Sequence, residues 1–184
     1  RFAMVLQGGK SVYDTDLFEP QITQIRSLAG IGTDKISERS VRIIADHVRA
    51  ATFLASDGLI PSNVEAGYVM RRLIRRAVAH GHLLGIEGYF ISGLSETVVD
   101  GFQEAYPNLT QTHSVIHQIL EDEEKKFGHV LKRGLSELEK YFFQQSQNTI
   151  FANEALSFQI GEIFRAEIGR GTVSIGTTSP LARL

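Results

Sequence analysis

Apolar residues recur at intervals of three and four positions over most of the first 145 residues, which is the period of an amphipathic α-helix. The pattern predicts one short apolar helix over residues 1–8 and several longer helices after it. The ranges expected for the longer helices are 14–26, 40–54, 61–84, 95–105 and 112–145. No strand-like alternation interrupts residues 36–145, so the predicted fold class is all-α, a helical bundle.

The expected helix starts carry residues that can cap a helix. Thr15 or Asp16 is placed to cap the first of the longer helices, and Ser62 or Asn63 to cap the third. The apolar face expected for the first is Phe18, Ile22 and Ile25. The buried stripe expected for the second is Val41, Ile44, Ala45, Val48, Ala51 and Thr52.

The last forty residues differ from the rest of the chain. They contain four glycines and a Thr-Thr-Ser-Pro run at 177–180, and no helical or strand period can be assigned to them. Such a segment lacks the apolar pattern that would pack it onto a core. We therefore expect an irregular tail over residues 146–184.

Composition excludes several classes of site. The 184 residues include no cysteine, so disulfides and thiolate metal ligands are excluded, which fits the reducing cytoplasm. The formal net charge is −2, so a nucleic-acid site must come from local clustering of basic residues. No apolar run approaches the ~18 residues of a membrane helix, so no membrane partner is expected. The first residue is Arg1, which suggests a piece of a longer protein.

Four arginines share one face of the helix expected over 61–84. At ~100° per residue they occupy an arc of roughly 140°. They are Arg71, Arg72, Arg75 and Arg76, and the opposite arc is formed by Val69, Met70, Leu73, Ile74, Ala77 and Val78. Like charges four residues apart cost about 0.2–0.5 kcal/mol per pair, and no carboxylate is interleaved. Because the planar guanidinium fork suits phosphate oxygens, an RNA backbone is the expected counter-charge.

Two other interpretations of this arginine face stay open. Acidic residues elsewhere in the fold, such as Glu121 to Glu124, would neutralise it, since runs of charge are usually solvated faces. A membrane surface would also attract it, although the arc carries no aromatic anchor.

Asn63 and Gly67 precede the arginines. One interpretation of Asn63 is a helix cap. The other is a side chain whose amide, with one acceptor oxygen and one donor NH₂ group, binds a base edge. Gly67 allows another part of the backbone to approach closely.

The histidines do not predict a metal site. His80 and His82 are two residues apart and so face apart on a helix. His113 and His117 have the spacing of zinc ligands, but no third ligand is evident. No glycine-rich phosphate loop and no activated nucleophile occur either, so no complete catalytic set is predicted.

Several segments together resemble the alanyl-tRNA synthetase family. RIIADHVRA at 42–50, DGLIPSN at 57–63 and GYVMRRLIRR at 67–76 are similar to that family in content, order and spacing. The likeness extends upstream to residues 5–18 and downstream to EDEEKKF at 121–127 and LKRG at 131–134, so it covers about residues 1–140.

The resemblance implies roles for specific residues. Arg1 would be the arginine of the third class II motif, which binds ATP in the family. Asn63 aligns with the residue that contacts the G·U pair of the alanine acceptor stem. The arginine face, Arg71, Arg72, Arg75 and Arg76, would hold the phosphates around that pair. The wide, shallow minor groove of RNA is open to such contacts.

The resemblance also implies a domain organisation. Residues 1–35 would be a remnant of the class II catalytic domain, 36–145 the helical tRNA-recognition domain, and 146–184 a diverged or poorly ordered tail. The family's second reader of the G·U pair is an aspartate, and the slot that aligns with it holds Ile160. Because this aspartate is missing, the resemblance implies binding of RNA by this chain but only one of the two residues that read the G·U pair.

The function expected from the resemblance is that of a part of alanine-tRNA ligase. This part would bind the acceptor stem for ATP-dependent alanylation by the whole enzyme. ATP and Mg²⁺ would serve that enzyme, and neither is expected to bind this chain tightly. The expected partners are the tRNA and the rest of the synthetase, with no DNA. The alternative is a stand-alone helical module that binds RNA or a protein partner without catalysis.

Overall fold

A computed structural model of the chain describes residues 2–30 and 36–146, with side chains described as far as residue 143. Its elements are α1 (Phe2–Leu6), a 3₁₀ turn (Val12–Asp14), α2 (Glu19–Leu28), α3 (Glu38–Ser56), α4 (Glu65–Leu83), α5 (Ile91–Phe102), α6 (Asn108–Gln111) and α7 (His113–Ser146). No strand occurs in these ranges, so the all-α prediction is confirmed for them. Residues 147–184, which hold the expected tail, lie outside the described residues.

α3 and α4 form an antiparallel hairpin, and α2, α5, α6 and α7 pack against one or both of its helices. Ser40 at the start of α3 lies against His80 near the end of α4, with 3.0 Å between the hydroxyl and the imidazole Nδ1. α7 packs on α3, α4 and α5, and α2 packs on α3 and α5. α2 therefore shares one core with the bundle, and a domain boundary near residue 35 stays a prediction.

The expected buried stripe of α3 is confirmed at all six positions. In α4, Met70, Ile74, Ala77 and Val78 are buried as expected, but Val69 is 53% exposed. Val69 is the outer edge of the apolar arc, and no described helix covers it.

The start of α2 differs from the prediction. Ser11 and Asp14 form a capping box around the 3₁₀ turn, and the Thr15 hydroxyl donates to the carbonyl of Val12. These polar side chains are therefore used before the helix begins. α2 starts at Glu19, with a proline in its first turn, and its preceding residue makes no side-chain cap.

α5 begins at Ile91, four residues earlier than expected, because a distant carboxylate caps it. The backbone N–H groups of Phe90 and Ile91 donate to the two oxygens of Glu124 on α7, at 2.9 and 3.0 Å. Glu124 is 1% exposed. Burial raises the pKa of its carboxyl from 4.5 to about 7, against the opposite effect of the two N–H groups.

This carboxyl predicts a pH-dependent stability. Between pH 4.5 and about 7 the native state holds the Glu124 proton after the unfolded chain has lost it, so this contribution to stability falls as pH rises. His80 acts in the opposite sense, because burial lowers its pKa from 6.5 to about 4. The contribution of Glu124 is therefore measured as the difference in the free energy of unfolding between the wild type and a Glu124 variant, in which the effect of His80 cancels.

We expect the free energy of unfolding of the wild type, minus that of Glu124→Gln, to be largest near pH 4.5 and to shrink toward pH 7. Urea titrations across this range measure it. A difference that grows with pH would mean that the two N–H bonds outweigh burial.

Candidate nucleic-acid interface

The loop between α3 and α4 folds back onto the first turn of α4. The Ser62 hydroxyl donates to the carbonyl of Val64 at 2.9 Å and accepts from its N–H at 3.3 Å, and the Ser62 N–H donates to the carbonyl of Gly67 at 3.0 Å. Neither Ser62 nor Asn63 caps α4: Val64 holds the N-cap position and makes no side-chain cap. The expectation of a cap at either residue is wrong, because the Ser62 hydroxyl is used within the loop.

The loop packs closely against the first turn of α4, as Gly67 and Glu65 show. A Cβ atom on Gly67 would lie 2.2 Å from the Ser62 hydroxyl oxygen and 2.6 Å from the Ile60 carbonyl oxygen, so only glycine fits. The close approach expected at Gly67 is thus observed. Glu65 has φ of 49° and is the one non-glycine residue with positive φ in the described ranges. Backbone of this kind costs about 1–3 kcal/mol and is held by its surroundings.

Asn63 is exposed at the end of this loop and contacts the arginine face. Its Oδ1 accepts a hydrogen bond from Nη1 of Arg71, whose Nη2 donates to the carbonyl of Pro61 at 3.4 Å. The Asn63 side chain is therefore held by the first of the four arginines, Arg71.

Two of the four arginines turn toward α7. Nε of Arg75 donates to Oε1 of Glu123 at 2.7 Å, and Nε of Arg71 lies 3.6 Å from the same oxygen. Glu123 is 3% exposed. The Arg75 guanidinium also lies 5.3 Å from the ring centre of Phe127. Neutralisation by the acidic run, one of the interpretations left open, therefore holds for Arg71 and Arg75.

The other two arginines are on the outer side of α4. Arg72 is exposed and Arg76 is half-buried, and neither forms an ion pair with a carboxylate in the described part of the chain. The rest of the acidic run has its own contacts: Glu121 pairs with Lys125 at 2.8 Å, and Asp122 accepts from Gln118. Arg72 and Arg76 are thus the two arginines of this face without a carboxylate partner in the described residues.

His47 and His80 lie near Arg76 but add no charge at neutral pH. Burial lowers the pKa of both imidazoles, and the Arg76 charge lowers them further. For His47 the hydrogen bond with Asp46 opposes this shift. The positive charge of this part of the α3–α4 surface near pH 7 therefore comes from arginines, Arg76 and also Arg39 of α3, and not from the two imidazoles.

The described ranges hold no group of three His, Cys, Asp or Glu side chains placed to bind a metal ion. Arg1, expected to bind ATP, and Ile160, in the slot of the second base reader, both lie outside the described residues. Within the same ranges no helix is long and apolar enough to cross a membrane.

Glu123 is the residue of this site that sequence reasoning missed. The sequence places Glu123 in the acidic run Glu121 to Glu124, which indicates a solvated surface. In the structure Glu123 lies in the apolar stripe of α7, three residues after Leu120 and four before Phe127. A carboxylate at a core position of a helix needs a cationic partner, because burying an unpaired charge is costly. The spacing of Glu123 from Leu120 and Phe127 is therefore the feature of the sequence that could have predicted a buried, paired carboxylate.

The Glu123 pair predicts unequal roles in stability for neighbouring arginines. Arg75→Met keeps the bulk of the side chain but leaves Glu123 with only the more distant Arg71, and we expect a loss of about 2–3 kcal/mol. Arg72→Met, the matched control, should change stability by less than ~0.5 kcal/mol. Urea unfolding measures both, and equal losses would contradict the division of the arginine face.

Comparison with known families agrees with the resemblance. The model described as "tRNA synthetases class II (A)" matches residues 1–161. The chain is 40% identical to an alanine–tRNA ligase of Acidithiobacillus ferridurans over 166 residues, which is 89% of this chain and 19% of that protein. The corresponding values for the enzyme of Treponema pallidum are 44% over 153 residues, 81% and 25%. For Thermotoga maritima they are 43% over 137 residues, 73% and 16%.

The chain thus spans between 16% and 25% of the length of these relatives. The matched region includes the loop between α3 and α4, the arginine face and Glu123. The chain belongs to the alanine–tRNA ligase family of class II tRNA synthetases.

Proposed function

We propose that this chain is the part of an alanine–tRNA ligase that holds the acceptor stem of alanine tRNA. The observation that carries the proposal is the division of the arginine face: Arg71 and Arg75 pair with Glu123, whereas Arg72 and Arg76, on the same helix that Asn63 precedes, form no ion pair with a carboxylate in the described residues. In a chain with a formal net charge of −2, these two arginines have no acidic partner among the residues that the structure describes.

The layout of α4 suits the backbone of an RNA strand. At 1.5 Å per residue, Arg72 and Arg76 lie about 10 and 16 Å along the helix from its first residue. They can therefore meet phosphates while Asn63, beyond the start of the helix, faces a base edge. Phosphate contacts set position and affinity, whereas contacts to base edges set specificity.

The minor groove is the surface of a stem that Asn63 would meet. In an A-form stem this groove is wide and shallow and displays base edges and 2′-hydroxyls. The exposed amide of Asn63 stands on a loop that Ser62 and Gly67 hold rigidly, so little ordering is needed when it binds.

The activity of the whole enzyme is proposed for the protein to which this region belongs. There, ATP and Mg²⁺ would support the activation of alanine, with Arg1 as the residue of this chain that binds the ATP. The described helices contain no complete catalytic set, so we propose that the chain alone binds RNA without forming alanyl-tRNA. The cytoplasm, where tRNA is charged, is the proposed location.

Removal of an outer arginine should weaken binding to all RNA stems alike. For Arg72→Ala and for Arg76→Ala we expect a loss of about 1 from the slope of log K against log salt, because one phosphate contact is lost. Fluorescence anisotropy with an alanine acceptor-stem hairpin and an unrelated hairpin measures this slope. Lys140→Ala, an exposed lysine near the far end of α7, is the control and should leave the slope unchanged.

Removal of the Asn63 amide should instead reduce selectivity. We expect Asn63→Ala to lower the preference for a G·U stem over a G·C stem about fivefold, with little change in affinity for the G·C stem. The same anisotropy titrations measure both stems. A wild type with no preference for the alanine stem over the unrelated hairpin would contradict the proposed recognition, and binding to a protein partner would then be the better account of this surface.

A further inference from the structure

We propose that Glu123 is a positioning residue for base recognition: through Arg71 it fixes the Asn63 amide so that its Nδ2–H donors face the RNA. Asn63 would then bind an acceptor atom in the minor groove. The part of this inference that concerns RNA rests on the proposed function. The part that concerns the orientation of Asn63 does not.

The first step is the anchoring of the guanidinium by α7. Glu123 is 3% exposed, and its Oε1 is shared by Arg75, at 2.7 Å, and Arg71, at 3.6 Å. The Nε atom of Arg71 is buried and forms no hydrogen bond in the described residues, so its contact with Glu123 is an ion pair, held by charge attraction and not by a hydrogen bond. Arg75 fixes the carboxylate in turn.

The second step is the rigid fork of Arg71. With Nε toward Glu123, its other two nitrogens contact the Pro61 carbonyl and Asn63 Oδ1. Because the guanidinium is planar, fixing the plane at Nε also fixes the direction of both Nη atoms. A lysine has one nitrogen and cannot span these three groups.

The third step is the orientation of the amide. A guanidinium has only donors, so the Asn63 atom that faces Arg71 must be the oxygen. The Nδ2 group, with two N–H donors, is then directed away from Arg71 on an exposed side chain. The amide therefore acts mainly as a donor, although a free asparagine could offer both donor and acceptor.

A donor selects among the groups of the minor groove. Pyrimidine O2, purine N3 and the ribose 2′-hydroxyl accept hydrogen bonds there, whereas the 2-amino group of guanine donates. The structure therefore favours an acceptor atom near the G·U pair as the target of Asn63. Recognition of the 2-amino group would have to come from elsewhere.

The orientation is tested without RNA. In the full chain, NMR relaxation of the Asn63 side-chain ¹⁵N, assigned with Asn63→Ala, should give an order parameter near that of rigid backbone, about 0.85. We expect it to fall below about 0.6 in Glu123→Gln and in Arg71→Lys. Glu121→Gln, the same change on the same helix at a surface ion pair, should leave it unchanged.

The effect on RNA is tested with the same proteins. Glu123→Gln should lose the G·U preference about as much as Asn63→Ala, about fivefold, while affinity for the G·C stem is kept. A general structural defect would weaken both stems. If circular dichroism shows that Glu123→Gln is unfolded, Arg71→Lys carries the test.

The donor role is tested by replacing guanine with inosine, which removes the 2-amino group. Asn63→Ala should weaken binding to the G·U and I·U stems by the same factor. A loss seen on G·U but absent on I·U would show that Asn63 accepts from the amino group and would overturn the donor assignment.

The outcomes separate the two proposals. A flexible Asn63 amide in the wild type, or an amide as rigid in folded Glu123→Gln as in the wild type, overturns the positioning role whatever the RNA does. A rigid amide that responds to Glu123, in a chain without stem preference, supports positioning and overturns the proposed reading of the base pair.

Discussion

The buried carboxylate of Glu123 is the interaction on which the candidate site depends. It pairs with Arg71 and Arg75 between α7 and α4 and so joins the bundle core to the arginine face. A buried charge of this kind contributes little net stability when paired, but its partners cannot be removed without a large loss. The pair therefore acts mainly by fixing where the guanidinium groups are.

The same carboxylate divides the arginine face into two pairs. Arg71 and Arg75 pair with Glu123, and the outer pair, Arg72 and Arg76, has no carboxylate partner in the described residues. This arrangement lets a chain of net charge −2 keep a local cationic surface, and it limits the repulsion among four neighbouring like charges. Glu124, the next residue, is also buried, but it caps α5 by accepting from the backbone N–H groups of Phe90 and Ile91. Adjacent glutamates thus connect α7 to two different helices.

The helices themselves could be predicted because their cause is local. The buried stripe of α3 followed from its period alone, and the membership of the family followed from contiguous motifs. The starts of α2 and α5 could not be predicted as well. A capping box upstream used the polar residues before α2, and α5 is capped by Glu124, 33 residues away.

At the site, the presence of four arginines on one face of α4 could be predicted from the sequence, because helical geometry sets which residues share a face, and Asn63 precedes them along the chain. Which of these arginines face a carboxylate, and that the Asn63 oxygen contacts Arg71, could not be predicted before the helices were packed together. Charge pairing and hydrogen bonding depend on distance in space, and Glu123 lies 48 residues from Arg75 along the chain.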